Sequence, residues 1–147
     1  MTDLSPTSPA RRPEFRNVNA FTDLPGYRLP LAGLVSILHR ISGALMFLLL
    51  PFIIWLFDAS VSSEISHARL VRRFAEGGGG LPGWFYKLVV LALIWAYLHH
   101  LIAGLRHLWM DVRHAVSKEF GRSSAMFTLV ISVALTLALG AKLFGIY

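Results

Sequence analysis

Long apolar stretches separated by short polar ones dominate the chain, with no alternating run that reads as a strand and no internal repeat. Three stretches, roughly 34–57, 84–110 and 126–147, are long enough to cross a hydrocarbon core ~30 Å thick, which takes about 20 helical residues. The pattern predicts an all-α membrane protein of three transmembrane helices. Residues 1–30 form a polar segment carrying five of the seven prolines, and residues 31–147 form the membrane body. Pro51 is placed to kink the far half of the first span, a break that membrane helices tolerate when neighbours re-satisfy the freed carbonyl. The loop over 58–83 is polar, and its run Gly77 to Gly80 reads as a flexible connector. Trp84 and Tyr86 stand where interfacial aromatics belong, and the short loop 112–123 makes spans two and three antiparallel neighbours.

Charge refines the picture. Only 15% of residues are charged, against about 25% in soluble domains. A net charge of +6 raises the possibility of nucleic acid, but the basic residues flank the spans as orientation signals do. Arg11, Arg12, Arg16, Arg28, Arg40, Arg106, Arg113, Lys118 and Arg122 fall on one side, and Arg69, Arg72, Arg73, Lys87 and Lys142 on the other. Nine against five predicts a cytoplasmic N-terminus and an external C-terminus. The first thirty residues have no apolar core of a signal peptide and include Asp3, Glu14 and Asp23, unlike acid-poor organellar presequences. The expectation is a multi-pass protein of a bacterial cytoplasmic membrane, with lipid rather than nucleic acid around it. With no cysteine, disulfides and iron–sulfur ligation within the chain are excluded.

The second span carries ionisable groups that cost roughly 2.5–3.5 kcal/mol each near the bilayer centre. At about 100° per residue, His100, Gly104, His107 and Asp111 fall on one face. His100 lies near mid-membrane, where an imidazole has three jobs open to it: proton relay, interhelical hydrogen bond, or axial ligand to haem iron. His107 sits two turns nearer the cytoplasm, where propionates of a haem at His100 would reach, and Gly104 leaves room for a porphyrin. His99 points about 100° away, toward the side of Arg106, and is the weaker ligand.

In the first span, Gly33, Ser36, Arg40, Gly43 and Phe47 recur at helical spacing. Ser36 and Arg40 are four residues apart, so their side chains adjoin. They read either as a capping serine with a snorkelling arginine, or as a pocket offering a hydroxyl and a permanent cation to carbonyl oxygens. Counting from Arg40 to Phe57 places Arg40, and with it His39, near the cytoplasmic edge and not at the depth of His100. In the third span, Thr128, Ser132, Thr136 and Gly140 make a small, weakly polar stripe expected to meet another helix, with Leu129, Val133 and Leu137 toward lipid.

Two motifs, Ser36-Ile37-Leu38-His39-Arg40-Ile41-Ser42-Gly43 and His100-x3-Gly104-x-Arg106-His107-x3-Asp111, together resemble the cytochrome b556 subunits of bacterial succinate dehydrogenases. The resemblance runs from about Arg12 to the C-terminus. It departs at Arg12-Pro13-Glu14-Phe15-Arg16, where one variant of the family reads Arg-Pro-x-Ser-Pro-His.

The resemblance implies a membrane anchor of succinate:quinone oxidoreductase, working beside a second anchor, an iron–sulfur subunit and a flavoprotein. Haem b would lie between the anchors with one axial histidine from each, here His100. Ser36 and Arg40 would match the quinone pocket, for ubiquinone or menaquinone. His39 and His107 would match positions near the haem propionates, and Asp111 an acidic residue near the quinone region. The chain alone has no dinucleotide fingerprint with which to oxidise succinate. Other classes compatible with the polar stripe are a proton-coupled transporter, with His100 and Asp111 as relay, and a non-redox assembly subunit.

Overall fold

The computed structural model describes residues 19, 21–23, 26–114 and 117–147, so the Arg12–Arg16 departure and most of residues 1–30 lie outside it. The described residues form five helices: α1 Leu31–Leu48, α2 Leu50–Val61, α3 Glu64–Glu76, α4 Gly83–Arg113 and α5 Lys118–Leu143. Three of them, α1, α4 and α5, are long and apolar enough to span a membrane. The fold is therefore all-α with three candidate spans.

The first span breaks where Pro51 requires it. α1 ends at Leu48, Leu49 takes non-helical angles, and α2 restarts with Pro51 in its first turn. There the missing N–H of proline costs nothing. α4 rises for 31 residues, about 46 Å, and α5 for 26, about 39 Å, both longer than the hydrocarbon is thick. α5 begins eight residues before the apolar stretch at 126, capped by the Ser117 hydroxyl on the Phe120 N–H.

The segment between α2 and α4 is more ordered than its composition suggests. Ser63 and Ser66 form a reciprocal capping box that starts α3. This helix lies on α2 and α4, and Arg73 rests over the rings of Trp55 and Tyr86. Gly77, Gly79 and Gly80 take positive φ, and the Tyr86 hydroxyl donates to the Gly78 carbonyl at 2.8 Å. A helix and a tight turn replace the expected connector.

α1, α4 and α5 pack mutually. At their centre are Val35, Ala103 and Ala125, all without exposure. Small residues suit this place, because in lipid it is close backbone approach that holds helices together. The buried line of α5 is Gly121, Ala125, Thr128, Ser132, Thr136 and Gly140. The expected stripe faces its neighbours: Ser132 meets His99, and a Cβ on Gly140 would come 2.8 Å from Leu91 Cδ1. The hydroxyls of Thr128, Ser132 and Thr136 also bond carbonyls of their own helix, so the two roles coexist. Val133 and Leu137 are exposed, but Leu129 is not on the lipid side; it packs against the central cluster.

Ser132→Leu should accordingly destabilise far more than Leu137→Phe. The first overfills a site with no exposure, at about 1–3 kcal/mol, and strips His99 of its partner, at about 1–3 kcal/mol more. The second alters a side chain that is 68% exposed and should stay within about 0.5 kcal/mol. Thermal midpoints of the two variants in detergent check this; equal shifts would show the stripe carries no special packing.

Candidate functional site

α1 and α4 run antiparallel, so the start of one lies beside the end of the other. Leu31 and Ala32 share a cleft with Arg106 and Met110, and Met46 shares one with Leu93 and Tyr97. Between these two levels the histidines meet. The His39 and His100 rings stack with centroids 4.0 Å apart and planes 13° from parallel. His107 lies 5.4 Å from His39. His39 and His100 therefore lie at the same depth, not at the different depths that counting along the sequence predicts. The edge placement treated Arg40 to Phe57 as one straight rod, whereas the helix breaks at Leu49 and α1 starts at Leu31.

The hydrogen bonds of His100 assign its tautomer. Its Nδ1 lies 3.0 Å from the His39 carbonyl, and a carbonyl only accepts, so Nδ1 carries the proton. Nε2 then keeps its lone pair, and no hydrogen bond reaches it from the described residues. The Ser42 hydroxyl donates to the same carbonyl at 2.9 Å and lies 3.3 Å from His100 Nδ1, closing a small polar knot between α1 and α4. Gly43 permits it: a Cβ there would stand 2.9 Å from His100 Cε1. Ser42 and Gly43 stand inside the first motif, but sequence alone gave no reason to aim them at His100.

An imidazole held through Nδ1–H to a carbonyl, with a bare Nε2, is the usual state of a histidine that binds iron. The residues thus fit a haem ligand at His100. Histidines that hold one metal would turn their nitrogens toward it, not their ring faces toward each other. Stacked rings at 4.0 Å do not meet that geometry, so His39 is not the opposing ligand within this chain. Among the described residues no three His, Asp or Glu side chains converge as they would for a free metal ion. The space beside Gly104 is edged by His39 Nε2, 3.6 Å from where its Cβ would stand.

His99 turns the other way and is wholly buried. Its Nδ1 lies 3.3 Å from Ser132 Oγ, and its ring stacks on Trp95 at 5.6 Å. Ser132 donates its one proton to the Leu129 carbonyl, so it accepts Nδ1–H from His99. The Nε2 of His99 is enclosed without a partner, and with no exposure it leaves no room for a porphyrin. Adjacent histidines thus lock α4 against α1 on one side and α5 on the other.

Ser36 and Arg40 lie one turn apart on α1. Ser36 is half-buried, Arg40 is exposed, and no hydrogen bond joins either side chain to the described residues. Neither lines the cleft of Leu31, Ala32, Arg106 and Met110 or that of Met46, Leu93 and Tyr97. Asp111 is exposed in the last turn of α4, and its carboxylate bonds none of the described residues. The chain brings His39, His100 and His107 together and leaves Ser36, Arg40 and Asp111 on its surface.

The model of the family "Succinate dehydrogenase/Fumarate reductase transmembrane subunit" matches residues 14–139. The chain is 37% identical over 117 residues to the succinate dehydrogenase cytochrome b556 subunit of Coxiella burnetii, covering 79% of this chain and 89% of that one. It is 32% identical over 109 residues to the subunit of the same name from Paracoccus denitrificans, covering 74% and 78%. The subunit of Rickettsia felis is 26% identical over 113 residues, covering 77% and 82%. Three apolar spans, a histidine knot between two of them and matches over most of its length show that the chain belongs to the family of succinate dehydrogenase/fumarate reductase transmembrane subunits, as a multi-pass membrane cytochrome b subunit of that oxidoreductase.

Proposed function

We propose that this chain binds haem b through His100 and shapes part of the quinone site of a succinate:quinone oxidoreductase at the cytoplasmic membrane edge. The observation that carries the reading is the His100 tautomer: Nδ1–H committed to the His39 carbonyl and Nε2 free. Haem b supplies one-electron chemistry when bound. His100 would hold its iron, and a second anchor subunit would bring the opposing histidine. His107 and His39 offer imidazole N–H groups to the carboxylates at its rim, His39 from closer to the iron ligand than the sequence placed it.

Ser36 and Arg40 would line the quinone pocket, ubiquinone or menaquinone, with its remaining wall coming from partner chains. An iron–sulfur subunit, itself fed by a flavoprotein, would deliver the electrons. Asp111 lies at the same end of α4 as Arg106, and its exposure suits proton exchange with water.

The test is a reduced-minus-oxidised spectrum of the complex purified through this chain, with mass spectrometry of what accompanies it. A haem b signal together with a flavoprotein, an iron–sulfur protein and a second small membrane protein is expected. A complex with those partners and no haem would remove the His100 reading.

A further inference from the structure

A groove of about 800 Å³ runs between α4 and α5, on the side of α4 turned away from His100. Its floor is apolar, with Leu105, Phe127 and Ile131 among its residues, and Arg106 stands in its wall. At 100° per residue, the groove residues of α4 point roughly 150° from the face of His100, Gly104 and His107.

Arg106 is only 8% exposed. It donates from Nε to Ser124 Oγ at 2.9 Å and from Nη2 to the Gly121 carbonyl at 3.2 Å. Both acceptors are neutral, and no ion pair reaches it from the described residues. A cation so enclosed, at the end of a membrane span, is costly without an anion. His99 Nε2 is the one fully enclosed side-chain atom without a partner among the described residues. Nη1 of Arg106, which makes no hydrogen bond to the described residues, is therefore not enclosed.

Trp109 forms part of the groove, and the Arg113 guanidinium lies 5.5 Å from its ring centroid. A guanidinium lying over an aromatic face keeps N–H groups on its edge for an oxyanion. Around this end of the bundle stand Arg106, Arg113, Lys118 and Arg122 against the carboxylates Asp111 and Glu119. The polarity runs from cations at headgroup level to an apolar trough below. A phospholipid has that profile, with one anionic head group joined to apolar chains.

We propose that this groove binds one anionic phospholipid, its phosphate between Arg106 and Arg113 and an acyl chain along Leu105, Phe127 and Ile131. Basic pockets between membrane helices at headgroup level recognise such lipids by this combination.

The experiment uses the whole purified complex, delipidated in detergent and titrated with phosphatidylglycerol under native mass spectrometry. Leu105→Trp fills the groove from a position already 57% exposed, leaving both arginines in place. Arg113→Gln removes the rim charge and keeps the trough. The expected result is one tightly held lipid per complex, lost in Leu105→Trp and held at least roughly fivefold more weakly in Arg113→Gln, the loss of about 1 kcal/mol. Unchanged thermal midpoints and spectra in both variants show that folding is intact. Lipid retention equal to the wild type in both variants overturns the proposal. So does a photo-crosslinker at Leu105 that captures a polypeptide instead of lipid.

Discussion

His100→Ala should yield a complex without low-spin bis-histidine haem b. The variant separates ligation from folding unusually well. The His39 carbonyl that anchors Nδ1 keeps the Ser42 hydroxyl at 2.9 Å, so the deletion strands no buried acceptor on α1. His99, which locks α4 to α5 through Ser132, is untouched. What vanishes is Nε2, whose lone pair no described residue engages. Gly43→Leu should approach the same result with His100 still present. The first added carbon alone would stand 2.9 Å from the ring, so the imidazole must leave the His39 carbonyl. Overpacking costs about 1–3 kcal/mol, enough for roughly a five- to hundredfold loss in haem affinity. Gly33→Ala is the control, since its Cβ would make only ordinary contacts at 3.6 Å with Leu29 and Pro30. A His100→Ala complex with an unchanged bis-histidine spectrum would overturn the ligand assignment.

The spans were legible because the hydrocarbon core imposes a length and an apolar composition that the sequence displays directly. What hydropathy reports, however, is the part of a helix in oil, not the helix. α5 starts at Lys118 rather than 126 because its first two turns are polar and belong to the headgroup region. α3 escaped for a related reason. Its sequence carries Glu64, Arg69, Arg72, Arg73 and Glu76, which lowers its hydropathy, and its start is marked by Ser63 and Ser66, a weaker signature than serine followed by glutamate.

The functional face was legible in residue types and less so in neighbours. The helical wheel put His100, Gly104 and His107 together, and they do lie toward α1. It ranked His99 as the weaker ligand but could not supply its packing role, which depends on Ser132, 33 residues away. Depth along α1 was misjudged because a break after Leu48 cannot be counted through, and that error moved His39 away from the ring it stacks on. Ser42 shows the same limit: it lies three residues from His39, so its bond to that carbonyl is a local helix contact, yet its significance comes from His100 across the interface.

Arg40→Leu should lower quinone-dependent succinate oxidation by about 10²-fold, the usual cost of removing a single group that stabilises negative charge on a reacting oxygen. Quinone reduction takes two electrons and two protons, so its site needs both a nearby donor and water. Arg40 is exposed on α1, one turn from Ser36 and next in sequence to His39, where the histidine knot begins. Leucine preserves the helix and the apolar stem that arginine lays along its neighbours. The exposed position leaves no cavity behind. Succinate oxidation with an artificial, flavin-directed acceptor should therefore stay near the wild-type rate, and the haem spectrum should be retained. Lysine at the same position tests what kind of cation is needed: a point charge restores part of the rate if Coulombic stabilisation dominates, and little if the planar fork of arginine positions the quinone oxygen. Equal loss in the quinone and artificial-acceptor assays would mean that the substitution disrupts assembly, and Arg40 would then be an anchor at the membrane edge rather than part of the quinone pocket.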